Sequence, residues 1–142
     1  MPIRFFEEGV SFKLPHPRKT SNWIKGAVTK EKAIIGELNY IFCQDSYLLS
    51  INQEYLNHDS FTDIITFSYP QAGNAKSISG DIFISIERVR DNARNLKIPF
   101  DSELHRVIIH GVLHLLGYRD KKVADKALMR KKEEAYLSLR KL

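Results

Sequence analysis

Apolar and polar residues change rhythm along this chain, and each change predicts an element. From Trp23 to Lys32 the spacing fits a short helix, with Ser21 or Asn22 as its cap. Leu38, Tyr40 and Phe42 then alternate with Glu37, Asn39 and Ile41, which is the period of a strand. In "DSYLLSINQEYL", Leu48, Ile51 and Tyr55 share a helical face and Asp45 can cap it. "DIITFSYP" is β-branched and aromatic and stops at Pro70, while Ile78, Ile82 and Ile84 line one face of a strand ending near Ser85. The loop "QAGNAKS" joins the two. Ser85 can cap a helix with Ile86, Val89, Ala93 and Leu96 as its core stripe, punctuated by Pro99. A further helix has Asp101 as a possible cap, Glu103 at the positive end of its dipole, and Gly117 as its left-handed terminator. A last, basic helix runs from about Val123 to Leu139.

Strands interleaved with helices predict an α+β fold. We expect a single domain over residues 1–142, with a small mixed β-sheet of about four strands packed with helices. The helix from Leu104 to Leu116 should be central. Val107, Ile108, Ile109, Val112, Leu113, Leu115 and Leu116 leave it hardly any polar face.

Composition adds limits. With 43% hydrophobic and 27% charged residues the chain is globular rather than disordered, and no apolar run is long enough to span a bilayer. The first ten residues lack the apolar core and cleavage site of a signal peptide, so a cytoplasmic location is expected. Cys43 is the only cysteine, cannot form an internal disulfide, and sits in an alternating apolar run that suits a buried thiol. The net charge of +5 favours a polyanionic partner, though total charge leaves open where the positive groups sit.

The polar exceptions on the central helix carry the chemistry. His110 and His114 are four apart, which stacks them on one face where neutral ring nitrogens can aim at one point. Two buried histidines satisfied by core hydrogen bonds are the alternative. The run continues as His-x-x-x-His-x-x-Gly-x-x-Asp, the spacing of the long zinc motif of metzincin proteases, in which a glycine turns the chain so that a third ligand reaches the ion. Asp120 would be that third ligand here, the alternative being a solvated turn residue among Arg119, Lys121 and Lys122. The motif predicts a zincin-like metal site on the central helix and the following turn, with one Zn2+ per chain. The position after the first histidine, where those proteases carry a general-base glutamate, is Gly111, which argues against a peptidase. Gly111 either leaves space beside the ion for a bulky substrate or lets the helix pack closely on a strand.

"HGVLHLLGY" resembles the signature of the YbeY family of metallo-endoribonucleases. "LSINQEYLNHDSFTDIITFSYP" and "SGDIFIS" are similar to two further blocks of that family, in the same order. The resemblance implies a zinc-dependent, single-strand-specific endoribonuclease acting in ribosomal RNA processing and ribosome maturation and quality control, with metal-bound water attacking a phosphodiester. Its implied partners are single-stranded RNA, ribosomal particles and ribosome-associated proteins, with no membrane. Two departures stand out: Asp120 occupies the place of the family's third histidine, and Leu56 that of a catalytic arginine. His58 and Arg106 are the local candidates to replace that arginine. Arg106 continues the His110 stripe by one turn and could hold a phosphate oxygen, or could form an ion pair within the first turns. His58 lies in a polar loop where Asp59, Thr62 and Asp63 read as turn and cap residues, and His105, off the stripe, reads as surface. Lys122, Lys126 and Arg130 share a face of the last helix and form a candidate RNA-binding strip, which Glu133 and Glu134 could alternatively neutralise. The non-enzymatic alternative is a ribosome-associated RNA-binding factor with a structural metal.

Overall fold

A computed structural model describes residues 2–57, 61–69 and 76–142. In chain order the elements are β1 (Ile3–Glu8), α1 (Pro17–Lys30), β2 (Ile34–Cys43), α2 (Asp45–Leu56), β3 (Ile64–Ser68), β4 (Ser77–Ser85), α3 (Ile86–Leu96), α4 (Phe100–Leu115) and α5 (Val123–Leu137). The strands form one mixed sheet of order β1-β2-β4-β3, with β3 antiparallel to β4 and the other neighbours parallel.

Alternation on the strands explains the layers. Leu38, Tyr40 and Phe42 of β2 and Ile82 and Ile84 of β4 are fully buried and join α1, α3 and α4 in the main core. The opposite face is thinner, with Cys43, Ile65, Phe67 and Phe83 packed on Leu48 and Ile51 of α2. The thiol is buried as expected, and that burial pushes its pKa up to about 12, so it stays protonated and inert.

Helix α4 is central, with Leu104, Ile108, Ile109, Val112 and Leu113 fully buried, and the Tyr40 hydroxyl donates to the Ile108 carbonyl oxygen at 3.0 Å. The closest approaches fall at two glycines. A Cβ on Gly80 would lie 2.2 Å from the Phe67 carbonyl oxygen, so only glycine lets β3 and β4 pair there. A Cβ on Gly111 would meet Ile82 at 3.0 Å and Ile64 at 3.1 Å. Gly111 therefore faces the sheet, and the reading in which it opens space beside an ion is corrected: it is a packing residue.

Several boundaries also differ from expectation. Helix α1 starts at Pro17, because proline's fixed φ suits the first turn and His16 precedes it in a left-handed conformation, and the proposed cap Ser21 lies buried inside the helix. Asp45 begins α2 but does not cap it; its carboxylate accepts from the Ser85 hydroxyl at 3.1 Å and from Arg88 at 2.6 Å. Asp101 lies within the first turn of α4, which is capped at Pro99. Strand β1 left no alternation to read, since as an edge strand it buries little beyond Ile3. Ser85 does cap α3, accepting from the Arg88 amide at 3.1 Å.

Candidate metal centre

His110 and His114 project from the last turns of α4, their ring centroids 4.5 Å apart. The helix then closes with paired bonds from the Gly117 amide to the His114 carbonyl oxygen and from the Tyr118 amide to that of Leu113, each 3.0 Å, and Gly117 takes φ +107°. That is a Schellman turn, which needs glycine at its left-handed position. It reverses the chain so that Asp120 returns over the helix face. One carboxylate oxygen, Oδ2, then lies 3.3 Å from His110 Nε2 and 3.2 Å from His114 Nε2. One donor atom from each of the three residues falls within 4.8 Å of the others, and all three side chains are half-buried.

A second tier surrounds them. Glu133 of α5 is buried and places Oε2 2.5 Å from His110 Nδ1 and Oε1 3.4 Å from Arg106 Nη1. Arg106 is gripped by Glu103 through two bonds, Nε to Oε1 at 2.9 Å and Nη2 to Oε2 at 2.6 Å, and its Nη2 lies 3.9 Å from Asp63 Oδ2. Glu103 is fully buried. Burial pulls the Asp63 carboxyl pKa up, although Arg106 and His110 oppose it. Arg106 is thus engaged by carboxylates on three sides instead of reaching out as a phosphate clamp. Asp63 serves this cluster with its side chain, while its carbonyl oxygen accepts from the Ser85 amide at 3.0 Å and extends the antiparallel pairing of β3 with β4 by one rung.

The turn bearing Asp120 has its own brace. The Tyr118 hydroxyl donates to Glu31 Oε1 at 2.5 Å, Lys132 Nζ to Oε2 at 3.0 Å, and the Tyr136 hydroxyl to Oε2 as well. A carboxylate at the end of α1 so ties the turn to α5.

The charge balance tests whether a cation fits. Glu103, Glu133 and Asp63 surround a single guanidinium, Arg106, while Asp120 faces the two histidines, and one donor atom from each of His110, His114 and Asp120 is turned on one point. Four carboxylates share one guanidinium and two imidazoles, an excess of negative charge in a partly buried site, so a divalent cation among His110, His114 and Asp120 suits this environment.

The remaining sequence candidates are scattered. His58 and Asp59 lie outside the described residues. Lys122 lines a cavity of about 390 Å³ with His114, Arg119, Asp120, Lys121 and Asp125, opening beside the donors. Lys126 and Arg130 are exposed farther along α5, and among the described residues none of the three basic side chains pairs with an acid. Glu133 cannot neutralise that strip, because it is turned inward. His105 is half-buried rather than a free surface residue. It packs edge-on to Trp23 at 5.7 Å and accepts from Arg140 Nη1 at 2.8 Å, and burial together with Arg140 pushes its pKa down to about 4.

Sequence reasoning missed Glu31, and it gave Glu103 and Glu133 other roles, at the helix dipole and on the basic strip. For Glu133 a signal existed: it falls between Met129 and Tyr136 on the buried stripe of α5, a charged residue where an apolar one is expected.

Comparison with known proteins agrees with the motif. The family model "Endoribonuclease YbeY" matches residues 10–140. An Endoribonuclease YbeY of Flavobacterium psychrophilum is 51% identical over 134 residues, covering 94% of each chain. That of Bacteroides fragilis is 43% identical over 141 residues, covering 99% of each. A solution structure of a Thermotoga maritima protein superposes with a TM-score of 0.64 at 27% identity, covering 96% of this chain and 87% of that one. With the histidine motif, the turn and the mixed sheet in place, the chain belongs to the YbeY endoribonuclease family.

Proposed function

We propose that this endoribonuclease, of a family with a role in ribosomal RNA processing, cuts single-stranded RNA using a zinc ion held by His110 Nε2, His114 Nε2 and an Asp120 carboxylate oxygen. The observation that supports this most is the convergence of those three donors, two of which, His114 and Asp120, line a cavity edged by Arg119, Lys121 and Lys122. Two imidazoles and one carboxylate are a donor set that suits zinc and leaves room for substrate. When bound, the ion supplies a Lewis acid that makes water more acidic and offsets charge on phosphoryl oxygens. The chain's own residues do the rest. Lys121 and Lys122 attract the RNA backbone toward the donors, and Lys126 and Arg130 extend that attraction along α5. Peptide hydrolysis is disfavoured, since Gly111 is packed on Ile82 and offers no base. The reading places the protein with ribosomal particles in the cytoplasm; among the described residues no helix is long and apolar enough to cross a membrane.

The test is metal content and cleavage together. Purified protein should bind one zinc per chain, and it should cut the single-stranded tail of a partly duplex RNA, with cutting abolished by chelator and restored by zinc. Cleavage that persists after complete metal removal would overturn the metal mechanism. Zinc binding without cleavage would favour the RNA-binding factor.

A further inference from the structure

We infer that Glu133 is the positioning residue of the metal centre: it holds His110 as the Nδ1–H tautomer, so that the lone pair of Nε2 faces His114 and Asp120. This rests on the proposed metal reading for its purpose but not for its geometry. A carboxylate can only accept, so the 2.5 Å contact between Glu133 Oε2 and His110 Nδ1 requires the proton on Nδ1. The other oxygen, Oε1, accepts from Arg106 Nη1 at 3.4 Å, and Arg106 is itself held by both oxygens of Glu103. Each link has one polarity. A guanidinium only donates and a carboxylate only accepts, so the order Glu103, Arg106, Glu133, His110 draws the imidazole proton to Nδ1, where the acceptor lies at 2.5 Å, over Nε2, whose nearest carboxylate oxygen, Asp120 Oδ2, lies at 3.3 Å. Burial keeps water from offering alternatives, since Glu103 and Glu133 are 0% and 2% exposed. A carboxylate behind a ligating histidine both fixes the ring and strengthens its donor nitrogen, and losing such a partner costs about 10- to 100-fold in metal affinity.

The polarity of the chain makes the conservative substitution informative. In Glu133→Gln the amide oxygen must turn to Arg106, which can only donate, so the NH2 group faces His110 Nδ1. That arrangement accepts only the opposite tautomer, with a proton on Nε2 aimed at the metal position. In Glu133→Ala neither tautomer is enforced.

The experiment uses nitrogen-15 NMR of the histidine rings in the full-length, metal-free protein, at a pH raised until the rings are neutral, beside zinc affinity by competition with a chelating dye. Wild type should show His110 as Nδ1–H, Glu133→Gln as Nε2–H, and Glu133→Ala as a mixture. Zinc affinity should fall at least about tenfold in both variants. If Glu133→Ala does not fold, the isosteric Glu133→Gln carries the test alone. Wild-type tautomer retained in Glu133→Gln overturns the proposal whatever zinc does. If wild type itself binds no zinc while the tautomer switches, the metal reading fails and the positioning role of Glu133 stands.

Discussion

Glu31 braces the turn that carries Asp120, and its removal should be felt in the fold before it is felt in the chemistry. The carboxylate is 8% exposed and accepts from three donors: the hydroxyls of Tyr118 and Tyr136, and the Lys132 ammonium. Bonds of this charged kind are worth about 1.5–3 kcal/mol each. Because all three share one acceptor, they do not add, and the expected cost of Glu31→Ala is about 2–4 kcal/mol, a large part of a domain's about 5–15 kcal/mol. Glu31→Gln should recover only part of this, since its NH2 group turns a donor toward donors. The pH dependence has a definite sign. Burial raises the Glu31 pKa, but the hydrogen bonds from Tyr118, Tyr136 and Lys132 outweigh it and the net shift is downward. Its contribution is therefore present above the ordinary carboxyl range and lost as pH falls through the depressed folded value. The assay is urea unfolding of metal-free protein followed by fluorescence of Trp23, the only tryptophan, across the acid range. The alanine variant should be less stable near neutrality and flatter on the acid side. A loss below about 0.5 kcal/mol at neutral pH, the range of unremarked surface substitutions, would refute the brace.

Gly80→Ala should cost more than about 2 kcal/mol because the Phe67 backbone must move, whereas Gly111→Ala should be nearly neutral in unfolding experiments, side-chain crowding by Ile82 and Ile64 being offset by about 1 kcal/mol of helix propensity. Cleavage by Gly111→Ala should likewise be retained; a selective loss of activity would mean that crowding against Ile82 and Ile64 shifts the neighbouring His110. His105 stays neutral in the fold with a pKa of about 4 against 6.5 unfolded, so wild type should lose stability as pH drops between those values, by about 1–2 kcal/mol after allowing for solvent screening. His105→Phe should abolish that slope in denaturant titrations. Replacing Lys122, Lys126 and Arg130 together by glutamate should weaken RNA binding and reduce its dependence on salt, measured by fluorescence anisotropy; unchanged binding would remove α5 from the RNA footprint.

What could be read from the sequence was what a short window encodes. Helix α4 announced itself by its apolar density, Ser85 by its position before a stripe, and the turn by a glycine at the one place where a Schellman closure needs positive φ. These are local choices among few backbone states. The failures concern partners chosen across the fold. Gly111 could face an ion or a strand, because a helix covered nearly all round gives no polar face from which to tell rotation. Arg106 follows the histidine stripe, yet the stripe says nothing of Glu103 beneath it or of Glu133 arriving from another helix.

The same cross-fold contacts make α5 part of the candidate metal centre rather than a neighbour of it. Met129, Glu133 and Tyr136 are its buried residues: the first joins the core, the second reaches His110, and the third reaches Glu31. One docking event therefore brings Glu133 to His110 Nδ1 on α4 and sets the brace beneath the turn that carries Asp120. Conversely, a cation shared by His110, His114 and Asp120 would tie α4 to that turn, and through Tyr118 and Glu31 to α5. Linkage then requires reciprocity, with metal raising the stability of α5 docking by the same free energy that docking contributes to metal affinity. The amides of α5 should exchange more slowly with solvent when zinc is present, although neither Glu133 nor Tyr136 is a ligand.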